Sequence, residues 1–365
     1  MKTALSLARR GLDRTSPNPM VGAIIVRDGR VIGRGYHRRF GGKHAEVNAI
    51  ESATEDVAGA TMYVTLEPCC HHGKTPPCTD AVIRHRIGRV VIGMSDPDPR
   101  VSGRSIGILH EHGIETTAGV LEDACRSLNE AYVRHRSTGV PFVTVKFAQT
   151  LDGRIATATG HSQWISSPES RKLAHTLRAR SDAVVVGIGT VLADDPELTV
   201  RHVRGRNPIR IVLDSKLRVP LDARIVTGKD AAATIIATTP AADDTKLADL
   251  RERGIEVMTV AADILGGIDI ARLLPALGRR DITSVLVEGG SRTITSFLRL
   301  GLADRLVAFV APKIIGSGTE TVGDLDIATI DRAITITFER TYRLGGDLVI
   351  EARLNEGKDG EGHRP

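Results

Sequence analysis

Aromatic side chains are scarce in this chain: Phe, Trp and Tyr make up 3% of its 365 residues. Few rings are therefore available to stack on bases, as proteins that bind single-stranded nucleic acid require. An excess of one charge is lacking too, because the net charge is +5 and Lys and Arg are dispersed. This balance argues against a nucleic-acid partner and is compatible with a phosphorylated small molecule.

Long apolar segments are also missing. No run approaches the roughly 18 apolar residues of a membrane span, and the start MKTALSLARRGLDR has no long signal-peptide core. With 41% hydrophobic and 25% charged residues, the chain is predicted to be soluble and globular, without a membrane partner. A cytoplasmic location follows by default, and the length suggests about two domains.

Cysteines number only four, and three of them lie between positions 69 and 78. In a chain without secretion features, such clustering indicates metal binding or catalysis rather than a disulfide framework. Cys125 lies far away in a predicted helix, and we interpret it as an ordinary buried thiol.

The first part of the chain, residues 1–137, alternates strand-like and helix-like segments. This alternation predicts an α/β domain with one mixed sheet and helices on both faces. The turn pair Asp28-Gly29 predicts a hairpin. The predicted strands are Val21–Val26, Arg30–Arg34, Thr61–Leu66 and Val90–Met94, and the predicted helices are Leu5–Leu12, 44–53, Cys78–Arg86, Gly103–His112 and Leu121–Arg136.

A second α/β series follows a predicted linker at 137–141 and gives a second domain over residues 141–356. The Gly-rich polar residues 357–365 are predicted to be a disordered tail. The predicted strands are Phe142–Phe147, Ala183–Gly187, Ile209–Leu213, Ala233–Thr238, Glu256–Val260, Ser284–Val287 and Leu306–Val310, and the predicted helices are Glu169–Ala179, Ile270–Leu277 and Thr293–Leu300.

The richest motif is TLEPCCHHGKTPPC at residues 65–78, preceded by His44-Ala45-Glu46. A His-x-Glu followed by Pro-Cys and a further Cys is typical of zinc-dependent deaminases of nucleobase-like rings. One imidazole and two thiolates, from His44, Cys69 and Cys78, fill three zinc positions and leave the fourth for water. Glu46 is predicted to carry the protons as the catalytic residue.

A structural zinc site is the alternative, but it would close with four protein ligands. His44 and Glu46 are two positions apart, about 200° round a helix, so they can reach one metal only off the helix N-terminus. The spacing also departs from the usual Pro-Cys-x-x-Cys, which leaves Cys69 and Cys70 as rivals for the first thiolate. The Pro-Cys rule favours Cys69.

The second half has no complete Gly-x-Gly-x-x-Gly motif. Gly187-Ile188-Gly189 and Val287-Glu288-Gly289-Gly290-Ser291 each carry a strand into a Gly turn before a helix. Paired glycines allow backbone amides to approach a phosphate. The two turns suggest a dinucleotide bound at adjacent strand ends outside a Rossmann fold, although plain strand–helix junctions would give the same pattern.

Taken together, SPNPMVGAIIV, HAEVNAI, TLEPCCHHGKTPPC and SDPDP resemble the bifunctional deaminase/reductase family of bacterial riboflavin biosynthesis. In the second half, VKFAQTLDGRIAT, HSQWIS, VGIGTVLADDPELTVR and LVEGGS resemble its reductase domain. The resemblance implies a cytidine-deaminase-like three-layer domain followed by a dihydrofolate-reductase-like α/β domain. It also implies Zn²⁺ and NADPH as cofactors and supports Cys69 over Cys70. We further expect a homo-oligomer.

The resemblance also implies contacts to a phosphoribosylated pyrimidine in the first domain. These are Asn18, His37, His71, Lys74 and Asp96, with Lys74 suited to a phosphate. Where the family often has Asp-Pro-Asn-Pro, this chain has Asp96-Pro97-Asp98-Pro99. A contact from position 98 therefore stays open.

For the reductase domain, the resemblance assigns two further groups of residues. Arginines there suit a phosphate because guanidinium binds oxyanions through paired hydrogen bonds. Solvated surface arginines, and a core role for Trp164, are the alternatives. The implied cofactor contacts are Ala148, Trp164, Thr190, Asp194, Gly289, Gly290 and Ser291, and the implied substrate contacts are Lys146, Ser162, Arg178, Leu198, Arg201 and Glu288.

The expected chemistry has two steps on one substrate, a 2,5-diamino-6-(ribosylamino)pyrimidinone phosphate. Water replaces the 2-amino group of the ring, with Glu46 moving the protons. NADPH then reduces C1′ of the opened ribose to give a ribityl chain. The substrate comes from the resemblance, because the spacing alone indicates only zinc-dependent hydrolysis of an amine.

Overall fold

The computed structural model describes residues 1–228 and 233–355. The chain forms two compact units, Met1–Val140 and a second that begins at Pro141. The tail predicted at 357–365 lies outside the described residues. Within them, no helix has both the length and the apolar character needed to cross a bilayer.

The first unit is built around a mixed sheet of the order β2-β1-β3-β4-β5. Strand β1 is antiparallel to β2 and β3, whereas β3, β4 and β5 run parallel. The strands are β1 (Gly22–Arg27), β2 (Arg30–Tyr36), β3 (Thr61–Leu66), β4 (Arg89–Met94) and β5 (Glu115–Thr117), and the helices are α1 (Lys2–Ala8), α2 (Ala45–Glu51), α3 (Cys78–Arg84), α4 (Arg104–Glu111), α5 (Glu122–Leu128) and α6 (Glu130–Thr138).

Apolar side chains of the central strands form the core of this unit. Met62, Ile92 and Met94 are completely buried, as expected for strands that are covered by helices. Cys125 packs in the same core and is fully buried, in agreement with its interpretation as a structural thiol.

Two helices of the first unit differ from the sequence predictions. The helix predicted at Leu121–Arg136 is broken at Asn129, which has φ −113° and ψ 24° between α5 and α6. The side chain of Asn129 forms hydrogen bonds with the backbone of Met20, 109 positions away, which no local pattern reveals. The first helix ends at Ala8 and continues as a 3₁₀ turn over Arg9–Gly11.

The second unit has a larger sheet of the order β11-β10-β9-β8-β12-β6-β13-β16-β15 among the described residues. The strands are β6 (Phe142–Thr150), β7 (Arg154–Thr157), β8 (Ala183–Gly187), β9 (Ile209–Leu213), β10 (Thr234–Thr238), β11 (Glu256–Thr259), β12 (Ser284–Val287), β13 (Arg305–Ala311), β14 (Gly318–Glu320), β15 (Ile336–Leu344) and β16 (Asp347–Leu354). The helices are α7 (Pro168–Arg180), α8 (Ile188–Asp194), α9 (Arg224–Thr227), α10 (Asp244–Glu252), α11 (Ile270–Gly278) and α12 (Ser291–Arg299).

Neighbours from β11 to β13 run parallel, and β16 and β15 add an antiparallel edge. The edge strands were not predicted, because β15 is largely exposed and lacks a clear alternation of buried and exposed residues. Strand β12 lies between β8 and β6. Since carboxyl ends of parallel strands share one edge of a sheet, the turns after β8 and β12 are neighbours.

Candidate active sites

Three separate segments bring His44, Cys69 and Cys78 together in the first unit. His44 is the N-cap of α2, Cys69 lies in the loop after β3, and Cys78 opens α3. Their ligand atoms all lie within 4.8 Å of one another. His44 Nδ1 is 3.2 Å from Cys78 Sγ and 3.5 Å from Cys69 Sγ. The group therefore lies off the N-terminus of α2, where the spacing of His44 and Glu46 required it.

This donor set fits a zinc ion. The backbone N–H of Cys78 donates to Cys69 Sγ at 3.3 Å. The pKa of Cys69 is lowered to about 4, mainly by the hydrogen bond with the Cys78 thiol and secondly by the hydrogen bond with His44. A thiolate is the form of cysteine that binds metals. Cys70 takes no part in the cluster, since its Sγ is 3.8 Å from the carbonyl oxygen of Arg100.

Glu46 lies in the first turn of α2, two residues from the cluster, with 3% of its surface exposed. Its burial raises the pKa of the carboxyl above the ordinary value. Glu46 lines a cavity of about 270 Å³ that His44 and Cys69 also line. A buried carboxyl group, two of the candidate ligands and a cavity thus occur in one place.

The predicted substrate contacts of the first unit line the same cavity. His37 Nε2 lies 3.2 Å from Asn18 Nδ2, and His37 Nδ1 lies 3.1 Å from the carbonyl oxygen of Lys43. Lys74 is exposed at the cavity with its Nζ 3.8 Å from the centre of the Phe40 ring. The predicted residues that line the cavity are Asn18, His37, His71, Lys74 and Asp96.

Residues beyond the predicted contacts also line this cavity. Asp98, the position left open, is 6% exposed and accepts hydrogen bonds from Arg100 Nε at 3.0 Å and from Nη2 at 2.6 Å. The hydrogen bond from Arg100 lowers the pKa of Asp98 to about 2. Tyr132 and Arg136 of α6 complete this side of the cavity. Their only signal in the sequence was a helical pattern that any core-facing helix would share.

In the second unit, the two Gly turns meet as expected from the sheet order. Gly187 caps α8 and Gly290 caps α12. The Gly290 N–H donates to Thr190 Oγ1 at 3.2 Å. A side chain at Gly289 would place its Cβ 2.5 Å from Thr293 Cβ, so glycine is required there. Thr190 and the Gly289–Ser291 turn therefore form one backbone-lined surface, and Asp194 ends α8.

Trp164 lies in the loop after β7, and 61% of its surface is exposed. The alternative interpretation, a core anchor, is therefore wrong. Arg171 stacks 4.4 Å from the indole centre, and Lys313 Nζ donates to the Trp164 carbonyl at 2.5 Å. Arg171 thus packs on the exposed ring, and Lys313 holds the backbone of the same residue. Ser162 belongs to the same loop, and Ala148 lies on β6.

A buried ion cluster follows β12. Glu288 accepts hydrogen bonds from Arg178 Nε at 2.5 Å and from Arg178 Nη2 at 2.9 Å, and Lys146 Nζ lies 3.7 Å from it. Burial alone would raise the pKa of Glu288, but the charges of Arg178 and Lys146 outweigh it and lower the pKa to about 2. Burial lowers the pKa of Lys146. Arg178 is thus not a solvated surface arginine.

The segment that carries Leu198 and Arg201 is attached to α7. Arg178 Nη1 donates to the Thr199 carbonyl at 3.2 Å, and the Arg201 N–H donates to His175 Nδ1 at 3.2 Å. Leu198 is buried, with a left-handed φ of 55°. The guanidinium of Arg201 is exposed and pairs with Glu197. Of the predicted substrate contacts, Lys146 and Arg178 both pair with Glu288. Arg201 lies in the segment whose Thr199 carbonyl accepts from Arg178.

Comparisons with known proteins agree with both halves. The cytidine and deoxycytidylate deaminase zinc-binding region matches residues 1–94, and the RibD C-terminal domain matches residues 141–350. The riboflavin biosynthesis protein RibD of Aquifex aeolicus (strain VF5) is 46% identical over 351 residues, which cover 96% of each chain. The RibD protein of Escherichia coli (strain K12) is 43% identical over 365 residues, which cover 96% of this chain and 97% of that one.

The chain belongs to the RibD family. A crystal structure from Thermotoga maritima, described as a diaminohydroxyphosphoribosylaminopyrimidine deaminase/5-amino-6-(5-phosphoribosylamino)uracil reductase, has 40% sequence identity and a TM-score of 0.85. The match covers 97% of both chains. The predicted succession of a cytidine-deaminase-like and a dihydrofolate-reductase-like fold is confirmed. Zinc and NADPH are the cofactors of the two RibD domains.

The Glu288 cluster gives a stability prediction for this RibD chain. Glu288→Gln should lower the free energy of unfolding of the second unit by about 3–5 kcal/mol at pH 7, because Lys146 and Arg178 lose their buried counter-charge. Urea unfolding of the full chain, followed by circular dichroism, measures this. Glu320→Gln is the matched control, since Glu320 pairs with Arg154 at 3.0 Å but is 61% exposed on its side chain, and its cost should stay below about 1 kcal/mol.

The same cluster predicts a pH dependence. The folded-state pKa of Glu288, about 2, lies below the ordinary glutamate value of 4.5. Its stabilising contribution is therefore present above pH ~4.5 and lost as the pH falls towards ~2. In Glu288→Gln, that part of the acid destabilisation should be missing. If the free energy of unfolding fell equally in both proteins between pH ~4.5 and ~2, the assignment would be contradicted.

Proposed function

We propose that this chain deaminates 2,5-diamino-6-(5-phosphoribosylamino)pyrimidin-4(3H)-one and then reduces its ribosyl side chain to ribityl. The observation that supports the proposal is that the ligand atoms of His44, Cys69 and Cys78 lie within 4.8 Å of one another. The buried Glu46 lines the cavity that His44 and Cys69 also line. Membership of the RibD family and the activity described for the Thermotoga maritima relative support the choice of substrate.

In the deaminase site, we assign His44, Cys69 and Cys78 as the metal ligands. Zinc held there supplies a Lewis acid that makes water nucleophilic at neutral pH. Glu46 would accept one proton of the attacking water at its carboxylate and pass it to the ring nitrogen, and would then carry the second proton of that water to the amino group, which leaves as ammonia. The ring loses NH₃ and gains the oxygen of water, so the step is a hydrolysis.

Substrate orientation in this site is assigned to the polar lining of the cavity. Asn18 and Asp96 offer an amide and a carboxylate to the donors and acceptors of the pyrimidine. Lys74, at the exposed rim, suits the phosphate as a compact positive charge. His37 contacts Asn18 and helps to hold it, and His71 completes the wall. The cavity lining thus matches a polar ring with an anionic tail.

In the reductase site, the Thr190 and Gly289–Ser291 surface, with Ala148, Trp164 and Asp194, is assigned to the cofactor. NADPH held there would supply the hydride for C1′ of the opened, imine-like sugar, and solvent would supply the proton that the nitrogen takes up. Lys146, Arg178 and Glu288 form a prearranged charged wall beside that surface, and Arg201 suits the phosphate. The other assigned substrate contacts are Ser162 and Leu198. The site's contribution is positioning, since no side chain is assigned as its acid.

The experiment that tests the proposal separates the two reactions in one purified protein. With the diaminopyrimidine substrate alone, ammonia should be released and no reduced product should form. Addition of NADPH should then cause NADPH oxidation that depends on the earlier deamination. Ammonia release from cytidine in single-stranded DNA, with none from the pyrimidine, would contradict the substrate assignment.

Arg201→Ala should raise the KM of reduction by about 10-fold or more, since a charged hydrogen bond to phosphate is lost, and should spare deamination. Steady-state kinetics with the deaminated pyrimidine as substrate measures it. Arg204→Ala is the control, because Arg204 is exposed three positions further along the same segment. Loss of both activities in Arg201→Ala would argue against two separate sites.

A homo-oligomer, a cytoplasmic location and the absence of nucleic-acid partners stay predictions from the sequence. The dispersed charge and few aromatic residues support the last of them. A binding constant for single-stranded DNA that falls steeply with salt would contradict it.

A further inference from the structure

Tyr132 of α6 touches the predicted substrate contact Asp96 from a different element of the fold. Its hydroxyl donates to Asp96 Oδ1 at 3.0 Å and lies 3.3 Å from Oδ2. Asp96 also accepts from the backbone N–H of Asp98 at 2.9 Å, within its own loop. The tyrosine therefore supplies a donor from outside the loop, and two donors from different directions fix the rotation of the carboxylate.

The element that carries Tyr132 is itself held in place. Asn129, directly before α6, accepts from the Met20 N–H at 2.8 Å and donates to the Met20 carbonyl at 2.9 Å. Arg136, one turn further along, lies 5.5 Å from the Tyr132 ring centre. Tyr132 and Asn129 are both buried, and Tyr132 lines the cavity that contains Glu46. Its hydroxyl thus has a fixed position at the cavity wall.

We propose that Tyr132 is a positioning residue that orients the Asp96 carboxylate for the pyrimidine in the deaminase site. The proposal rests on the proposed function, which makes Asp96 a substrate contact. It adds a residue that no motif of the sequence indicated. In the absence of the hydroxyl, the carboxylate keeps its place in the loop but loses the donor that sets its direction towards the cavity.

The pKa of Asp96 depends on its burial and on the groups around it, among them the Tyr132 hydroxyl. Burial raises the pKa of Asp96 to about 6, and the hydrogen bonds from the Asp98 N–H and from Tyr132 oppose that rise. Removal of the Tyr132 hydroxyl should therefore raise the pKa of Asp96 further. The charged or titratable groups that face Asp96 or line the same cavity are Glu67, Asp98, Arg100, Arg136, His37, His44, Glu46, Cys69, His71 and Lys74.

Tyr132→Phe in the full-length zinc enzyme tests the proposal. The KM of deamination at pH 7 should rise by roughly 10-fold, as expected for loss of a hydrogen bond to a charged group, while kcat at saturation stays within about twofold. The acidic limb of the profile of kcat/KM against pH should move to higher pH, so that the deficit shrinks above pH ~8. A merely structural role would not move that limb.

Two controls make the result specific. Tyr63→Phe also removes a tyrosine hydroxyl, but from β3. Its KM and the acidic limb of its profile of kcat/KM against pH should match the wild type. Asp96→Ala should raise KM by itself, and adding Tyr132→Phe to it should change KM no further, because the tyrosine acts through the carboxylate. Zinc content and reduction of the deaminated pyrimidine should be unchanged in Tyr132→Phe.

The outcomes distinguish a failure of the positioning role of Tyr132 from a failure of the proposed function. If Asp96→Ala raises KM but Tyr132→Phe leaves both KM and the acidic limb unchanged, the positioning role is wrong and the proposed function stands. If Tyr132→Phe raises KM equally with and without Asp96→Ala, the tyrosine acts elsewhere and the proposal is overturned. If the wild type releases no ammonia, or Asp96→Ala has no effect, the assignment of Asp96 is overturned together with this proposal.

Discussion

Replacing Glu46 by glutamine should lower kcat for deamination by about 10²–10⁴-fold, the usual contribution of a positioned general acid–base group. The amide has nearly the same shape as the carboxylate but cannot take a proton from water and return it. Since Glu46 is 3% exposed and lines the cavity of the metal cluster, bulk water has little access to replace it. Steady-state ammonia release measures the loss.

The loss should be confined to one reaction. Reduction of the deaminated pyrimidine with NADPH should be unaffected in Glu46→Gln, and so should zinc content. The matched control is Glu51→Gln on the same helix, where the carboxylate is half-exposed and pairs with Lys43 at 2.5 Å; its kcat should stay within about twofold of the wild type. Unchanged ammonia release in Glu46→Gln would show that the deaminase assignment is wrong.

Replacing Cys78 by serine should remove most of the zinc and with it deamination, by about 10³-fold or more, because a neutral hydroxyl is a far weaker zinc ligand than a thiolate. Cys78 is fully buried at the start of α3, so water cannot easily take its place as a fixed ligand. Metal analysis of the purified protein, together with ammonia release, measures both effects. Reduction should continue when the deaminated substrate is supplied.

Cys70→Ser is the internal control for the ligand set. Cys70 adjoins Cys69 in the sequence but points towards the Arg100 carbonyl, so its replacement should leave zinc content unchanged. Full zinc occupancy in Cys78→Ser, or loss of zinc in Cys70→Ser, would contradict the ligand set of His44, Cys69 and Cys78. The Cys70→Ser variant thus tests whether Cys70 is excluded as the first thiolate, the choice that the spacing alone left open.

The elements around the metal cluster were predictable because their signals are local. A strand that ends at Leu66 and runs into Pro68-Cys69, and a helix that starts beside His44, follow from apolar periodicity and from Gly and Pro positions. The His and Cys residues of the motif directly indicate a zinc site. The adjacency of the two Gly turns in the second unit also followed, because parallel strands align their carboxyl ends.

The remaining features depend on contacts between distant parts of the chain. The break at Asn129 is fixed by Met20, and the direction of Asp96 is fixed by Tyr132, 36 positions away. The same holds for Arg178, whose partner Glu288 lies 110 positions further on. A local pattern shows an amphipathic helix or a surface arginine in these places, and only the folded chain shows which polar partner each side chain finds.

One chain should carry out both reactions in order, and analysis of the products formed from the diaminopyrimidine substrate is the decisive experiment. Without NADPH, we expect a single product in which an amino group is replaced by oxygen and the ribosyl chain is intact. With NADPH, we expect that product to be converted to the ribityl compound. A reduced product that still carries the 2-amino group, or no deaminated product at all, would show that the proposed order of reactions is wrong.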